Sequence, residues 1–197
     1  MLPPTTEVSP EPDNNVSVLR CAERSDFQPE IIAKDRMSTL LRNIGILIFV
    51  VIPLLTLAVG QLGLLGGQRP GDLGLHDGLL KPPVADRWNS ISSQAALHPH
   101  TDYHVIAPLA YRGDGKAAFR KLTAVVRGMR GATVIRAEAG YLYAEFQTPL
   151  MKYTDDVEFA LDESTGVIQM RSASRLGRRD FGTNRKRLEA IRAAFSG

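Results

Sequence analysis

Cysteine is almost missing, with Cys21 alone in 197 residues. A disulfide framework needs pairs and a zinc ribbon needs Cys/His spacing, so both are excluded and thiol redox chemistry has no partner thiol. Histidine is scarce as well, four in all, three of them at His98, His100 and His104 beside Asp102. That spacing matches no metal geometry and Pro99 breaks any helix, so the reading is an exposed loop, with no metal and no cofactor expected. Ser92 and Ser93 lack the flanking glycines of a nucleophile elbow and read, with Gln94, as turn caps. No large imbalance of charge exists either: 24 Lys/Arg against 21 Asp/Glu give +3. An apolar fraction of 44% is ordinary for a chain that buries a core, and the length suits one globular domain with appendages.

Residues 1–43 are polar and proline-bearing (Pro3, Pro4, Pro10, Pro12, Pro29) and are expected to be disordered. Met37 is an alternative start, which would leave residues 1–36 outside the protein. From Ile44 to Leu65 no residue is charged. As a helix rising about 1.5 Å per residue the run spans roughly 33 Å, enough to cross a bilayer. Lys34, Arg36 and Arg42 precede it against Asp35, and the first charge afterwards is Arg69, which places the N-terminus in the cytoplasm and the remainder across the membrane. Pro53 is tolerable in such a helix. Ala58 and Gly60 are also spaced like a signal-peptidase site, but apolar character continuing through Leu62, Leu64 and Leu65 favours an anchor over a cleaved signal.

Arg69 to Gly197 is a cysteine-free domain with nineteen Lys/Arg and fourteen Asp/Glu, a formal charge of +5. Residues 66–102 are rich in Gly and Pro without a period and are expected to wrap the core, residues 103–197, as extended chain. Tyr103 to Tyr111 reads as a strand, with Pro108 pointing to an edge or an end. Asp114 caps a helix whose Phe119, Leu122, Val126 and Met129 recur at helical spacing until Gly131. Four strands follow on short turns, Ala132–Ala139, Tyr141–Thr148, Asp156–Leu161 and Gly166–Ser174, and hence pair antiparallel. Leu142, Ala144 and Phe146 alternate with Tyr141, Tyr143 and Glu145, so one face is apolar and the other polar. A last helix, Thr183–Phe195, lines up Leu188, Ile191 and Phe195 with Asn184 on the same stripe. The order β-α-β-β-β-β-α predicts a two-layer α+β domain, an antiparallel sheet of about five strands with two helices on its apolar face, preceded by one transmembrane helix.

Several strings together, RPGDLGLHDGLLKPP (Arg69 to Pro83), NSISSQA (Asn89 to Ala95), YLYAEFQT (Tyr141 to Thr148), DDVEF (Asp155 to Phe159) and IQMRSASRLG followed by DFGTNRKRLEAIR, resemble the bacterial and plastid domain-of-unknown-function family 1499. The resemblance covers essentially all of the 129 residues from Arg69 and implies an exported or membrane-attached protein without an established activity. Many members carry two cysteines where Val84 and Ser90 stand here, so any disulfide or redox role attached to them does not apply. Many also have His in place of Tyr143, which speaks against a metal or acid/base role for that position.

Two groups are candidate ligand-binding residues. Tyr143, Glu145, Asp156 and Glu158 share the polar sheet face, where paired carboxylates bind divalent metals or do general acid/base work. If Phe159 pairs with Met170 in the core, however, Glu158 falls opposite Arg171, and a cross-strand ion pair on a wet face accounts for both. The second group is Arg171, Ser174, Arg175, Asn184 and Arg185, in a stretch from Arg171 to Arg192 with eight basic and two acidic residues. Arginines in a strand end and helix start suit bidentate contact with anions, although a solvated face with Arg185 pairing to Glu189 explains them as well. Asn184, on a buried stripe, needs a partner and finds it most simply in the turn after Arg175. The expectation is a single-pass protein of the bacterial inner membrane with its C-terminal domain in the periplasm. That domain would act as a non-enzymatic binding or scaffold module for an anionic lipid, glycan or envelope protein, with no nucleic acid. The alternative is a hydrolase-like or metal-dependent enzyme built on the carboxylates.

Overall fold

The computed structural model describes residues 29–197 and divides into two units at Val51. Most of the stretch expected to be disordered, together with Cys21, lies outside the described residues. In the first unit α1 (Pro29–Ile46) leads into a wider π turn, Leu47–Val51. The helix therefore begins at Pro29 and not at Ile44. Proline is favoured at the first helical position, and Glu30 to Lys34 are residues that propagate a helix once one is nucleated. The second unit opens with α2 (Ile52–Gln61), in which the Thr56 hydroxyl bonds to the Ile52 carbonyl at 2.8 Å. Pro53 has no N–H to give to the preceding turn, which explains the wider winding just before it. The helix from Glu30 to Gln61 is long and apolar enough to cross a membrane.

The rest of the second unit is α+β, with the elements β1 (Ser90–Ser92), β2 (Leu109–Ala110), α3 (Gly115–Gly128), β3 (Ala132–Glu138), β4 (Tyr141–Gln147), β5 (Thr154–Asp162), β6 (Val167–Ser174) and α4 (Thr183–Ser196). All pairings are antiparallel, in the order β1-β6-β5-β4-β3, with β2 also on β6. Phe159 sits opposite Met170 and Leu142 opposite Phe159, so the apolar positions of three strands line one face. Onto it α3 packs Phe119, Leu122 and Val126, and α4 packs Leu188, Ile191 and Phe195. Asp114 caps α3 by accepting from the Lys116 amide at 2.9 Å. Gly131 turns the chain into β3 at φ 80°, and a Cβ there would meet the Gln147 carbonyl at 2.6 Å, so no other residue fits.

Two expectations change. The strand foreseen over Tyr103–Tyr111 shrinks to Leu109–Ala110, because β1 occupies Arg171–Ala173 of β6 and Ser93 after it bonds the Met170 carbonyl and the Gln169 side chain, so that β2 pairs with Val167 and Ile168. Residues Asp102–His104 form a 3-10 turn instead. The sheet thus has six strands.

The polar face is not wet. The strap, Arg69 to Pro83, crosses it and sets Leu73 and the buried Leu80 on Tyr141, Tyr143 and Ala160. Alternation marks Tyr141 and Tyr143 as polar, yet their rings give apolar chain something to cover.

Candidate functional site

Beneath the strap Glu158 and Arg171 face each other across β5 and β6, with 0% and 5% of their surface exposed. Arg171 Nη1 donates to Glu158 Oε2 at 2.8 Å, while the Tyr141 hydroxyl and the Gly74 amide donate to Oε1 at 2.7 and 2.9 Å. The foreseen ion pair exists, but as a buried one. Burial, with the neighbouring Glu158 carboxylate, pushes the Tyr141 phenol well above its ordinary value.

One position along the same face, Arg175 holds Asp156 and Glu145 together. Its Nη2 lies 2.7 Å from Asp156 Oδ1 and 2.5 Å from Glu145 Oε1, and its Nε reaches both Asp156 oxygens at 3.1 Å. The Tyr143 hydroxyl lies 2.6 Å from Asp156 Oδ1 and 3.0 Å from Glu145 Oε1. Arg69, from the strap, closes the group by donating from Nε to Glu145 at 2.8 Å. Burial alone would raise the Glu145 carboxyl, but bonds from Arg175, Arg69 and Tyr143 outweigh it and hold the group below the usual carboxylate range. Burial also works against the Arg175 charge, and the two carboxylates more than reverse this. The Tyr143 phenol is raised by burial and by Asp156.

The remaining candidates lie on the helix side of the sheet. Asn184, fully buried, accepts from Ser172 Oγ at 2.5 Å and Arg187 Nη1 at 2.7 Å. Its amide nitrogen donates to the Asn89 carbonyl, Ser174 Oγ and Asp180 Oδ2. Asp180 is the partner in the turn after Arg175, and it also receives the amides of Gly182 and Asn184, capping α4. Burial opposes ionisation of Asp180, yet Tyr103 and these amides keep its carboxyl below the ordinary range. The Tyr103 phenol in turn is pushed up to about 12 by burial and by Asp180. Arg185 donates to the Tyr103 and Val105 carbonyls at 2.9 and 2.8 Å and makes no pair with Glu189, which binds Arg192 instead. Arg187 pairs with Asp155 at 2.5 Å.

The sequence candidates thus form two networks on opposite sheet faces. Tyr143, Glu145, Asp156, Glu158, Arg171 and Arg175 lie under the strap, whereas Ser174, Asn184 and Arg185 lie against α4. Among the described residues no group of three or more His, Cys, Asp or Glu side chains is placed to share a metal ion. His104 has both ring nitrogens on the chain itself, Nδ1 accepting from the Thr101 amide at 3.0 Å and Nε2 bonding the Arg87 carbonyl at 2.8 Å.

Of the basic stretch, Arg178, Arg179 and Lys186 remain exposed. Their turn carries a feature that sequence reasoning missed. Phe181 is 90% exposed and adopts the left-handed conformation at φ 53°, unusual for a bulky residue. Beside it the Arg179 guanidinium stacks 4.7 Å from the centre of the Trp88 ring, and backbone bonds from Trp88 to Arg178 and Asp180 fix the turn. A groove of about 250 Å³ runs between Trp88, Tyr103, Arg179 and Phe181. The clue available beforehand was an aromatic between Asp180 and Gly182, off the stripe of α4.

A family model described as "Protein of unknown function (DUF1499)" matches residues 82–195. The chain belongs to this family. The DUF1499 match takes in the sheet, α3 and nearly all of α4, both networks except Arg69 and Gly74, and the Trp88–Phe181 turn. No curated protein and no solved structure matches the chain. The DUF1499 region therefore holds the Glu158–Arg171, Asp156–Arg175 and Asp155–Arg187 pairs, while most of the strap lies before it.

Proposed function

We propose that the chain is a membrane-anchored, non-enzymatic binding module whose periplasmic domain offers the Trp88–Arg179–Phe181 turn to the anionic head groups of the envelope. The observation that carries this reading is Phe181. A large aromatic ring held in water by a left-handed backbone is stabilised by nothing in the domain, and such strain collects where a surface makes contacts. Aromatic rings beside arginines suit the boundary between acyl chains and anionic head groups. The helix that ends at Gln61 supports attachment to the same membrane. Catalysis by Glu145, Asp156 and Glu158 is the weaker reading, since each carboxylate already carries arginine and tyrosine partners and lies under the strap.

Trp88 is the sole tryptophan, so it reports on the turn directly. The full chain in neutral detergent is titrated with phosphatidylglycerol vesicles and, separately, phosphatidylcholine vesicles. The expected result is a blue shift of Trp88 emission with the anionic lipid only, weakened by salt and lost in Arg178→Glu/Arg179→Glu and in Phe181→Ser. An unchanged Trp88 spectrum with the anionic vesicles overturns the reading.

A further inference from the structure

Gly60 is the buried residue of α2, in a helix whose apolar side chains are mostly exposed. A Cβ there would meet the Met151 carbonyl oxygen at 3.0 Å and the Met151 Cα at 3.1 Å, so the helix backbone lies against the backbone of the turn between β4 and β5. The next residue, Gln61, donates from Nε2 to the Leu150 carbonyl at 2.7 Å. Beyond it the chain stays in contact: a Cβ on Gly66 would lie 3.4 Å from Thr154 Oγ1, and one on Gly67 2.8 Å from the Arg175 Cβ. Packed chain, and not a slack linker, therefore joins the end of the apolar helix to the sheet. The β4–β5 turn is itself firm, with the Thr148 amide donating to the Tyr153 carbonyl at 2.9 Å and the Tyr153 amide to Thr148 Oγ1 at 3.0 Å. Leu150 in this turn is 62% exposed and Tyr153 42%, while Leu62 and Leu64, just past the helix, are 75% and 68% exposed. One exposed leucine needs no explanation, but four large apolar side chains on the two segments that meet at the end of a membrane-crossing helix do.

We propose that the turn Thr148–Tyr153 is a second membrane contact, in which Leu150 and Tyr153 enter the lipid interface beside the anchoring helix and the packing of Gly60 on Met151 fixes the orientation of the domain on the bilayer. A helix that crosses a bilayer brings its last turn to the head-group layer, and a loop that touches this turn reaches the same depth. Tyrosine suits that layer, and Lys152 with the exposed Arg130, which share a groove beside the turn, can extend to lipid phosphates. The register sets Gln147 beside Thr154 and Asp155 beside Ser174, so this turn and the one carrying Phe181 leave the same end of the sheet. The proposal rests on the reading of the helix as a membrane anchor, and it needs apolar burial but no anionic lipid.

The full chain carrying Cys21→Ser and Leu150→Cys is labelled with a nitroxide and reconstituted into phosphatidylcholine vesicles. Glu163→Cys, in the β5–β6 turn at the other end of the sheet, serves as the aqueous reference. Collisions with oxygen, which concentrates in lipid, are compared with those of a water-soluble nickel chelate. The oxygen-to-nickel ratio at 150 should exceed that at 163 severalfold, and equal ratios overturn the proposal. Adding Gly60→Leu, or Gly60→Ala if the leucine prevents folding, forces the helix off Met151 and should bring the ratio at 150 down toward that at 163, while the chain still resists alkaline extraction. A ratio that Gly60 variants leave unchanged overturns the docking of the turn on the helix. An immersed label at 150 with a Trp88 that ignores anionic vesicles overturns the Trp88–Phe181 contact and leaves this one, and a Trp88 response with a water-exposed label at 150 does the reverse. A native chain that alkaline carbonate extracts from the vesicles has no membrane span and overturns both.

Discussion

Glu158 and Arg171 form an ion pair that water does not reach, and the third donor to the carboxylate is the backbone of Gly74, 84 residues away in sequence. Removing one partner of a buried pair strands the other charge. Glu158→Gln is therefore expected to destabilise the domain by about 3–5 kcal/mol, whereas Glu158→Leu with Arg171→Met restores most of that loss. Urea unfolding of the two variants decides it, and equal stability of Glu158→Gln and the native chain would refute the buried pairing.

Acid should unfold the domain partly through Glu145 and Asp180. Both have folded values below those of the unfolded chain, so their contribution is complete above the ordinary carboxylate range and is lost as pH falls through the lower folded values. Melting temperatures followed downward from neutral pH are expected to fall less steeply in Glu145→Gln than in the native chain. Parallel curves would show that Glu145 does not take part.

The alkaline side has the opposite sign. Tyr103, with its phenol at about 12, contributes stability that is present below about 10 and lost as pH rises through 12, and Tyr141 and Tyr143 act in the same direction. Ultraviolet titration of tyrosinate should show Tyr103, Tyr141 and Tyr143 ionising only as the domain unfolds. Ionisation of these three near the ordinary phenol value, with the domain still folded, would contradict this.

Asn184→Leu should cost about 3 kcal/mol or more despite gaining apolar bulk, because Asp180, Ser174 and Arg187 each lose a partner in a buried place. Chemical denaturation measures it, and a loss below about 1 kcal/mol would show that these groups find other partners.

Phe181→Gly is expected to act in two directions. Relief of the left-handed backbone, less the entropy of glycine, should raise stability by about 0.5–1 kcal/mol, while the Trp88 response to anionic vesicles disappears. A variant that gains stability and keeps its vesicle response would separate the strain from binding.

Part of this architecture is legible in the sequence for a simple reason. Period-two alternation places Phe159 opposite Met170, and that register alone brings Glu158 to Arg171; helical period places Asn184 on the stripe of Leu188 and Ile191. What alternation cannot report is what lies above a face. Arg69 to Pro83 has no period, and its two covering residues, Leu73 and Leu80, signal nothing locally, so the polar face reads as solvated when it is roofed. The same limit hides β1, whose three residues are too few to show alternation, and with it the reason Tyr103–Tyr111 fails to become a full strand. The arginines of the last third are legible as a charge run, but which of them bind the domain's own carboxylates and carbonyls depends on contacts across dozens of residues.

Two of the fastenings of the strap come from its main chain, the Gly74 amide to Glu158 and the Leu80 amide to the Gln94 side chain at 2.9 Å, and the mutual bonds of His76 and Leu79 set the turn between them. Amides are common to nearly every residue, so much of this segment can drift in identity over generations. Its count cannot drift in the same way. One residue inserted or deleted between Gly74 and Leu80 moves one of the two docking amides off its acceptor. Substitutions there should be abundant among descendants of this chain, and changes in length rare.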